Sequence, residues 1–241
     1  SLRGFVPFIQ DAGIPVAMAG LLTALNGTDL YNRLEKEGRL LTESTGNNVS
    51  FELNFKPRLD PAILVDAYRR ILTALYDPSL KNYFARCLTL FEHMGASRRS
   101  KMRITRAEVV ACVISLGRQI PSRQGPAYAN FLATVATKYP RMISEAVRLA
   151  IMGYHFEKVT RHQVAVHTFD KFVTKELAAL QARAAHLVSG LEELRHEADV
   201  LLRKTNRRYR RLHRDCQIFA EGTLATLHSA LDNIIQQPQI E

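Results

Sequence analysis

Nine apolar residues, Val173, Leu177, Leu180, Ala184, Leu187, Leu191, Leu194, Ala198 and Leu201, recur at alternating spacings of four and three without a miss. A seam of 3.5-residue period sustained over four heptads demands a long α-helix, because a strand would scatter these side chains over two faces. It serves either as a surface for a partner helix or as the stripe by which the helix docks on its own bundle. Thr205 and Arg208 occupy the next seam positions, and Leu224, Leu227, Leu231 and Ile234 resume in a shifted register. A bend or turn between 205 and 222 and a returning helix are expected, together a long helical hairpin.

Upstream, everything after Arg58 carries helix punctuation. Asp60-Pro61 and Asp77-Pro78 each place a capping carboxylate before a proline at the first helical position, predicting helices over about 61–76 and 78–94. Ile63, Leu64, Ala67, Ile71 and Leu75 form one apolar stripe on the first of these. After a basic linker from Ser97 to Arg103, Thr105-Arg106-Ala107-Glu108 reads as a capping box opening a helix to about Gly117. Gly125-Pro126 starts another, and Pro140 divides it from a fifth that ends near Arg161.

The opening residues differ in kind. Arg3 to Ala12 read as the end of a helix with Gly13 after it, and Ile14 to Leu22, IPVAMAGLL, is a continuous apolar run of strand length. Such a run suits a strand covered on both faces, as in a parallel sheet flanked by helices. Thr28 caps a helix that Gly38 stops. The Gly46-Asn47-Asn48 turn signal then leads into Val49, Phe51, Leu53 and Phe55, whose period of two marks a last short strand.

Charge divides the chain as well. Residues 1–95 are neutral, so the whole formal excess of +10 lies in residues 96–241, concentrated at Arg203 to Arg214. The arginines Arg207, Arg208, Arg210 and Arg211 of that run are candidates for binding an anionic surface, a membrane before a nucleic acid; the alternative is a solvated helix end whose cations complement the negative end of the dipole. With 46% hydrophobic and 23% charged residues the composition excludes wholesale disorder, and no apolar run is long enough for a membrane-spanning helix. Cys87, Cys112 and Cys216 are too far apart for a local metal motif, and they read as buried thiols in a reducing cytoplasm. His155, His162 and His167 include a pair seven apart on one helix face, but no third ligand at helical spacing, so no metal site is assigned. No nucleophile elbow supports a hydrolase.

Three stretches together carry a resemblance. Phe8 to Leu40, FIQDAGIPVAMAGLLTALNGTDLYNRLEKEGRL, with Gly46 to Asp60, GNNVSFELNFKPRLD, and Asp66 to Leu75, DAYRRILTAL, resemble the end of the catalytic barrel and the following helical domain of cobalamin-binding radical S-adenosylmethionine proteins. Ala150 to Thr160, AIMGYHFEKVT, is similar to the same helical domain. Members include enzymes that methylate unactivated carbons, hopanoid lipids among them. Asn26 and Asp29 depart from the pattern, standing where relatives commonly have proline.

The resemblance implies a parent enzyme with S-adenosylmethionine, a four-iron four-sulfur cluster and cobalamin. This chain lacks the cysteine triplet for the cluster, and about 57 residues of α/β sequence cannot close a barrel. It also begins with Ser1, so it is read as a C-terminal fragment, inactive alone, whose partner is the missing N-terminal part of the same polypeptide. Chemistry gathers at the carboxyl ends of parallel strands. By the resemblance Gly20, Leu22, Thr23 and Asn26 are therefore cofactor-binding candidates, and Asn47, Asn48 and Asn54 substrate or cofactor candidates, with turn capping the alternative for the asparagines. No catalytic residue is assigned.

The expected fold is thus an α/β remnant, the end of a partial TIM-like barrel, followed by a mostly helical domain and the helical hairpin, predominantly α overall. The expected divisions are 1–57, 58–161 and a basic tail over 162–241. The rival expectation is a non-enzymatic helical interaction module whose Arg-rich helix binds an anionic membrane or nucleic acid. In either case the chain is expected to be cytoplasmic, peripheral to the membrane if its arginines dock there.

Overall fold

The computed structural model describes residues 2–44, 46, 51–95, 105–185 and 191–236. Contacts divide the chain into two compact units, Ser1–Arg161 and His162–Glu241. The first holds α1 (Leu2–Asp11), α2 (Asp29–Lys36), α3 (Pro61–Leu75), α4 (Lys81–Met94), α5 (Arg106–Gln119), α6 (Gly125–Lys138), a 3₁₀ turn at Pro140–Met142 and the start of α7 (Ile143–Ala185). The rest of α7, α8 (Leu191–Tyr209) and α9 (Arg214–Gln236) make the second. Among the described residues no helix is long and apolar enough to cross a membrane.

Side-chain caps mark the starts of α2 and α3. The Thr28 hydroxyl accepts from the Tyr31 amide at 3.2 Å, and the Asp60 carboxylate accepts from Ala62 at 2.7 Å and Ile63 at 3.2 Å. Gly13 and Gly38 end α1 and α2 at φ of +63°, the left-handed conformation that glycine adopts without a side-chain penalty. Gly13 has a second reason to be glycine: a Cβ there would press on the backbone of Thr89 and Leu90.

The core of the first unit is aromatic. Tyr83, Phe84 and Phe91 of α4 meet Tyr128 and Phe131 of α6, with Leu75, Leu80, Ala146 and Ala150 filling between them. Phe84 stacks on Phe131 at 4.7 Å between centroids, and the buried Tyr83 hydroxyl donates to the Leu149 carbonyl at 2.7 Å. In the second unit the seam turns inward on its own bundle. Val173 and Leu180 of α7, Leu194, Ala198 and Leu201 of α8, and Leu227, Leu231 and Ile234 of α9 form one buried cluster.

Several expectations are corrected. Ile14 to Leu22 has no regular secondary structure, with a bend at Pro15, and the only β contact among the described residues is an isolated antiparallel bridge between Leu40 and Phe55. The α/β remnant is therefore not present as a sheet, because a ladder needs a neighbouring strand and here side chains take that place. Val49 lies outside the described residues. The second Asp-Pro pair does not start its helix at Pro78: Leu80 takes φ of +54°, α4 begins at Lys81, and Asp77 instead accepts from the amides of Ser79 and Asn82. Ile63 is exposed, since α3 buries the face of Tyr68, Ile71, Leu72 and Leu75. The fifth helix does not end near Arg161; α7 continues to Ala185. The seam is split between α7 and α8, with 186–190 outside the described residues, and the chain turns back at 210–213.

Candidate functional site

The extended segment is held by polar side chains reaching out of the helices. The Tyr76 hydroxyl accepts from the Ala17 amide at 3.0 Å and donates to the Ala17 carbonyl at 2.9 Å. Two residues on, the Tyr68 hydroxyl donates to the Ala19 carbonyl at 3.2 Å. Arg86, fully buried on α4, donates to the carbonyls of Ile14 (3.1 Å), Pro15 (3.3 Å) and Leu75 (2.9 Å) and to the Gln10 side chain (3.2 Å), with its guanidinium over the Tyr76 and Tyr83 rings. Burial pushes the Arg86 pKa down, and the neighbouring Tyr76, Cys87 and Tyr83 oppose that. Burial likewise raises the Tyr68 phenol to about 12 and raises Tyr76, whose hydrogen bond to Ala17 pulls the other way. The raised phenols of Tyr68 and Tyr76 therefore stay protonated at neutral pH.

Beyond Ala17 this pattern leaves alternate residues unpartnered among the described residues. In an extended chain the amide and carbonyl of each residue point to the same edge, and alternate residues share that edge. Ala17 and Ala19 are tied to the helices. Among the described residues the backbone groups of Met18, Gly20 and Leu22, on the opposite edge, take no partner. Side chains alternate too: Ala17, Ala19 and Leu21 are half-buried, whereas Met18 is 74% and Leu22 65% exposed. Phe8 and Leu25 are exposed as well.

The predicted residues fall around this segment. Gly20 and Leu22 lie on its exposed side, Thr23 is half-buried, and Asn26 is exposed in the turn before Thr28. Asn54 comes to the same place from the adjacent loop, 4% exposed; its Oδ1 accepts from the Ala24 amide at 2.9 Å and its Nδ2 donates to the Ala24 carbonyl at 2.8 Å. The side-chain amide of Asn54 thus clamps the backbone of Ala24. Asn47 and Asn48 lie outside the described residues. The anchors Arg86 and Tyr76 carry no local motif, and Tyr68 is marked only as part of Asp66 to Leu75, without an anchoring role.

In the second unit, Arg203, Asn206, Arg207, Arg210 and Arg211 line an open cleft of about 480 Å³. Their spacing along α8 and the following turn places them on one side of the helix. Arg203 pairs with Asp199 at 3.4 Å. Arg208 does not join the others, because its guanidinium lies 3.8 Å over the Phe172 ring. Ile218 and Phe219, in the second turn of α9, are exposed. The histidine trio read from sequence does not gather: His155 rests edge-on against Phe156, while His162 has His213 and Asp215 as neighbours.

A helical body thus holds an apolar segment through polar side chains of α3 and α4 and the residue after α3. The chain belongs to the DUF4070 family, a domain of unknown function, whose model matches residues 28–168. It is also 35% identical over 94 residues to a protein of Synechocystis sp. named "Uncharacterized methyltransferase sll1242", a match covering 39% of this chain and 17% of that relative. The chain thus spans under a fifth of the relative it matches. No solved structure is detectably similar.

Proposed function

We propose that this chain is the C-terminal portion of a cobalamin-dependent radical S-adenosylmethionine enzyme, a methyltransferase acting on an unactivated carbon, such as one in a lipid. The observation that carries the reading is the apolar segment Ile14 to Leu22, tied to the helices through Ile14, Pro15, Ala17 and Ala19, while among the described residues the backbone groups of Met18, Gly20 and Leu22 take no partner. In this reading it is the last strand of a catalytic barrel whose other strands belong to the preceding polypeptide. The occurrence of the DUF4070 domain in cobalamin-binding radical S-adenosylmethionine proteins supports it, as does the relative named a methyltransferase. The exposed valines and isoleucine of α5, Val109, Val110, Val113 and Ile114, supply a second apolar face for contact with that polypeptide.

The residues present fit part of this cofactor set. Gly20, with no side chain, and the exposed Leu22 offer an approachable backbone and an apolar wall for the adenosine of S-adenosylmethionine, with Thr23 and Asn26 as hydrogen-bonding groups. When bound there and reductively cleaved, that cofactor would supply the initiating radical, its own methyl leaving on methionine, so the transferred methyl would come from a separate donor. The cysteines do not fit an iron–sulfur cluster: Cys87 and Cys216 are buried in separate units, and burial pushes the Cys87 thiol up to about 12, far from the thiolate that iron needs. We assign the cluster and cobalamin to the preceding polypeptide. Anaerobic reconstitution of the full-length parent with iron and sulfide tests the reading. Release of 5′-deoxyadenosine under reduction is expected, with Gly20→Val lowering it at least ~10-fold by obstructing the approach. A parent without a cysteine triplet, or with no cleavage, overturns the assignment.

A second role is favoured by the arginine cleft and by exposed Ile218 and Phe219, which combine cations with apolar groups as peripheral membrane surfaces do. In this reading the second unit docks the enzyme on an anionic bilayer from the cytoplasmic side. Co-sedimentation with phosphatidylserine vesicles at low salt is expected, and loss of it in the Arg207→Gln, Arg210→Gln, Arg211→Gln triple variant. Retention of that variant, or binding to neutral vesicles alone, removes the role; tighter binding to a duplex oligonucleotide moves it to nucleic acid.

A further inference from the structure

The second unit carries a group of side chains that neither the seam nor the arginine cleft uses. His162 stands half-buried on α7, and the exposed His213, in the turn between α8 and α9, stacks on it with centroids 4.6 Å apart and planes at 24°. Asp215, in the first turn of α9, has Oδ2 3.3 Å from Nδ1 of His213. One ligand atom from each of the three lies within 4.8 Å of the others. We propose that His162, His213 and Asp215 hold a zinc-class divalent ion that fastens α7 to the turn joining α8 and α9.

The geometry is near what such an ion requires. Ligand atoms about 2.0–2.2 Å from a tetrahedral zinc stand roughly 3.4 Å from each other. Closing from the present spacing needs only small torsions of His213 and Asp215, whose side chains are 49% and 67% exposed and free to turn without disturbing the core. Two imidazoles and one carboxylate leave the fourth position to water. This donor set selects zinc, cobalt or copper over magnesium and calcium, which prefer oxygen ligands. Charge sharpens that selectivity, because Arg211 and Arg214 flank His213 in sequence and make the place unattractive to hard cations held by charge alone. Arg210 and Arg211 are borne by the same turn, so an ion here would also steady one wall of the arginine cleft.

The test is calorimetric titration of the full chain with zinc chloride, alongside the visible spectrum of the cobalt(II) form and thermal unfolding. One ion per chain is expected, with tetrahedral cobalt bands and a rise in the unfolding midpoint of about 5 °C at saturating zinc. His213→Ala and Asp215→Asn, both at exposed positions, should each weaken binding at least ~10-fold with helix content unchanged. His155→Ala and Cys112→Ser should leave binding intact, and magnesium should give no signal. Absence of saturable binding below about 100 µM zinc, or full affinity in both His213→Ala and Asp215→Asn, overturns the proposal.

Discussion

A buried arginine that forms no ion pair with a carboxylate among the described residues is the residue on which the first unit turns. Arg86 is compensated by three carbonyls, one amide oxygen and two aromatic faces, so truncating it strands acceptors as well as removing a charge. Arg86→Met should lower stability by about 3 kcal/mol or more, read from the urea midpoint. Arg86→Lys should recover little of it, since a point charge cannot span the same acceptors. Glu157 runs the other way. It is 5% exposed, accepts from the Gln124 amide at 3.3 Å and lies 3.6 Å from Arg161, and burial raises its pKa against the pull of Arg161 and Arg123. A raised native value means that this group stabilises the fold below the ordinary glutamic acid range, a contribution lost as pH rises through the native value. Glu157→Gln should therefore be more stable than the parent at pH 7, with the advantage fading as pH falls toward 4.5; thermal unfolding across that range checks the sign.

At the scale of elements, caps and spacings were readable because they act within one turn. Thr28, Asp60, Gly13 and Gly38 do what their chemistry predicts. The errors arose where a longer-range demand won. Leu80 is fully buried in a left-handed conformation, so packing displaced the start of α4 against the local preference of Pro78. Tyr68 and Tyr76 are needed inward as anchors of the extended segment, and α3 is rotated to match, leaving Ile63 outside. The Asn54 clamp on Ala24 holds the loop that follows that segment. Asn54→Ala should remove two buried hydrogen bonds at a cost of about 2 kcal/mol, equivalent to exchange of the Ala24 amide about 30-fold faster. Unchanged protection of Ala24 would show that the loop is held by other contacts.

For the molecule as a whole, the decisive feature is an apolar edge that the described residues leave unpaired. Such edges pair with whatever strand is available, so the chain by itself should self-associate, and Met18→Lys with Leu22→Lys should return it toward a monomer in sedimentation velocity. Association unaltered by both lysines would place it on another surface, such as the exposed face of α5. From sequence alone, the helical character, most helix starts, the heptad seam and the placement of positive charge were determined, because each depends on neighbours within a few positions. Whether Ile14 to Leu22 became a paired strand, which way α3 faces, where the seam breaks, and the meeting of His162 with His213 and Asp215 were decided by the tertiary structure. Those outcomes join residues dozens of positions apart, and only closure of the chain into its packed units sets which distant donors and acceptors meet.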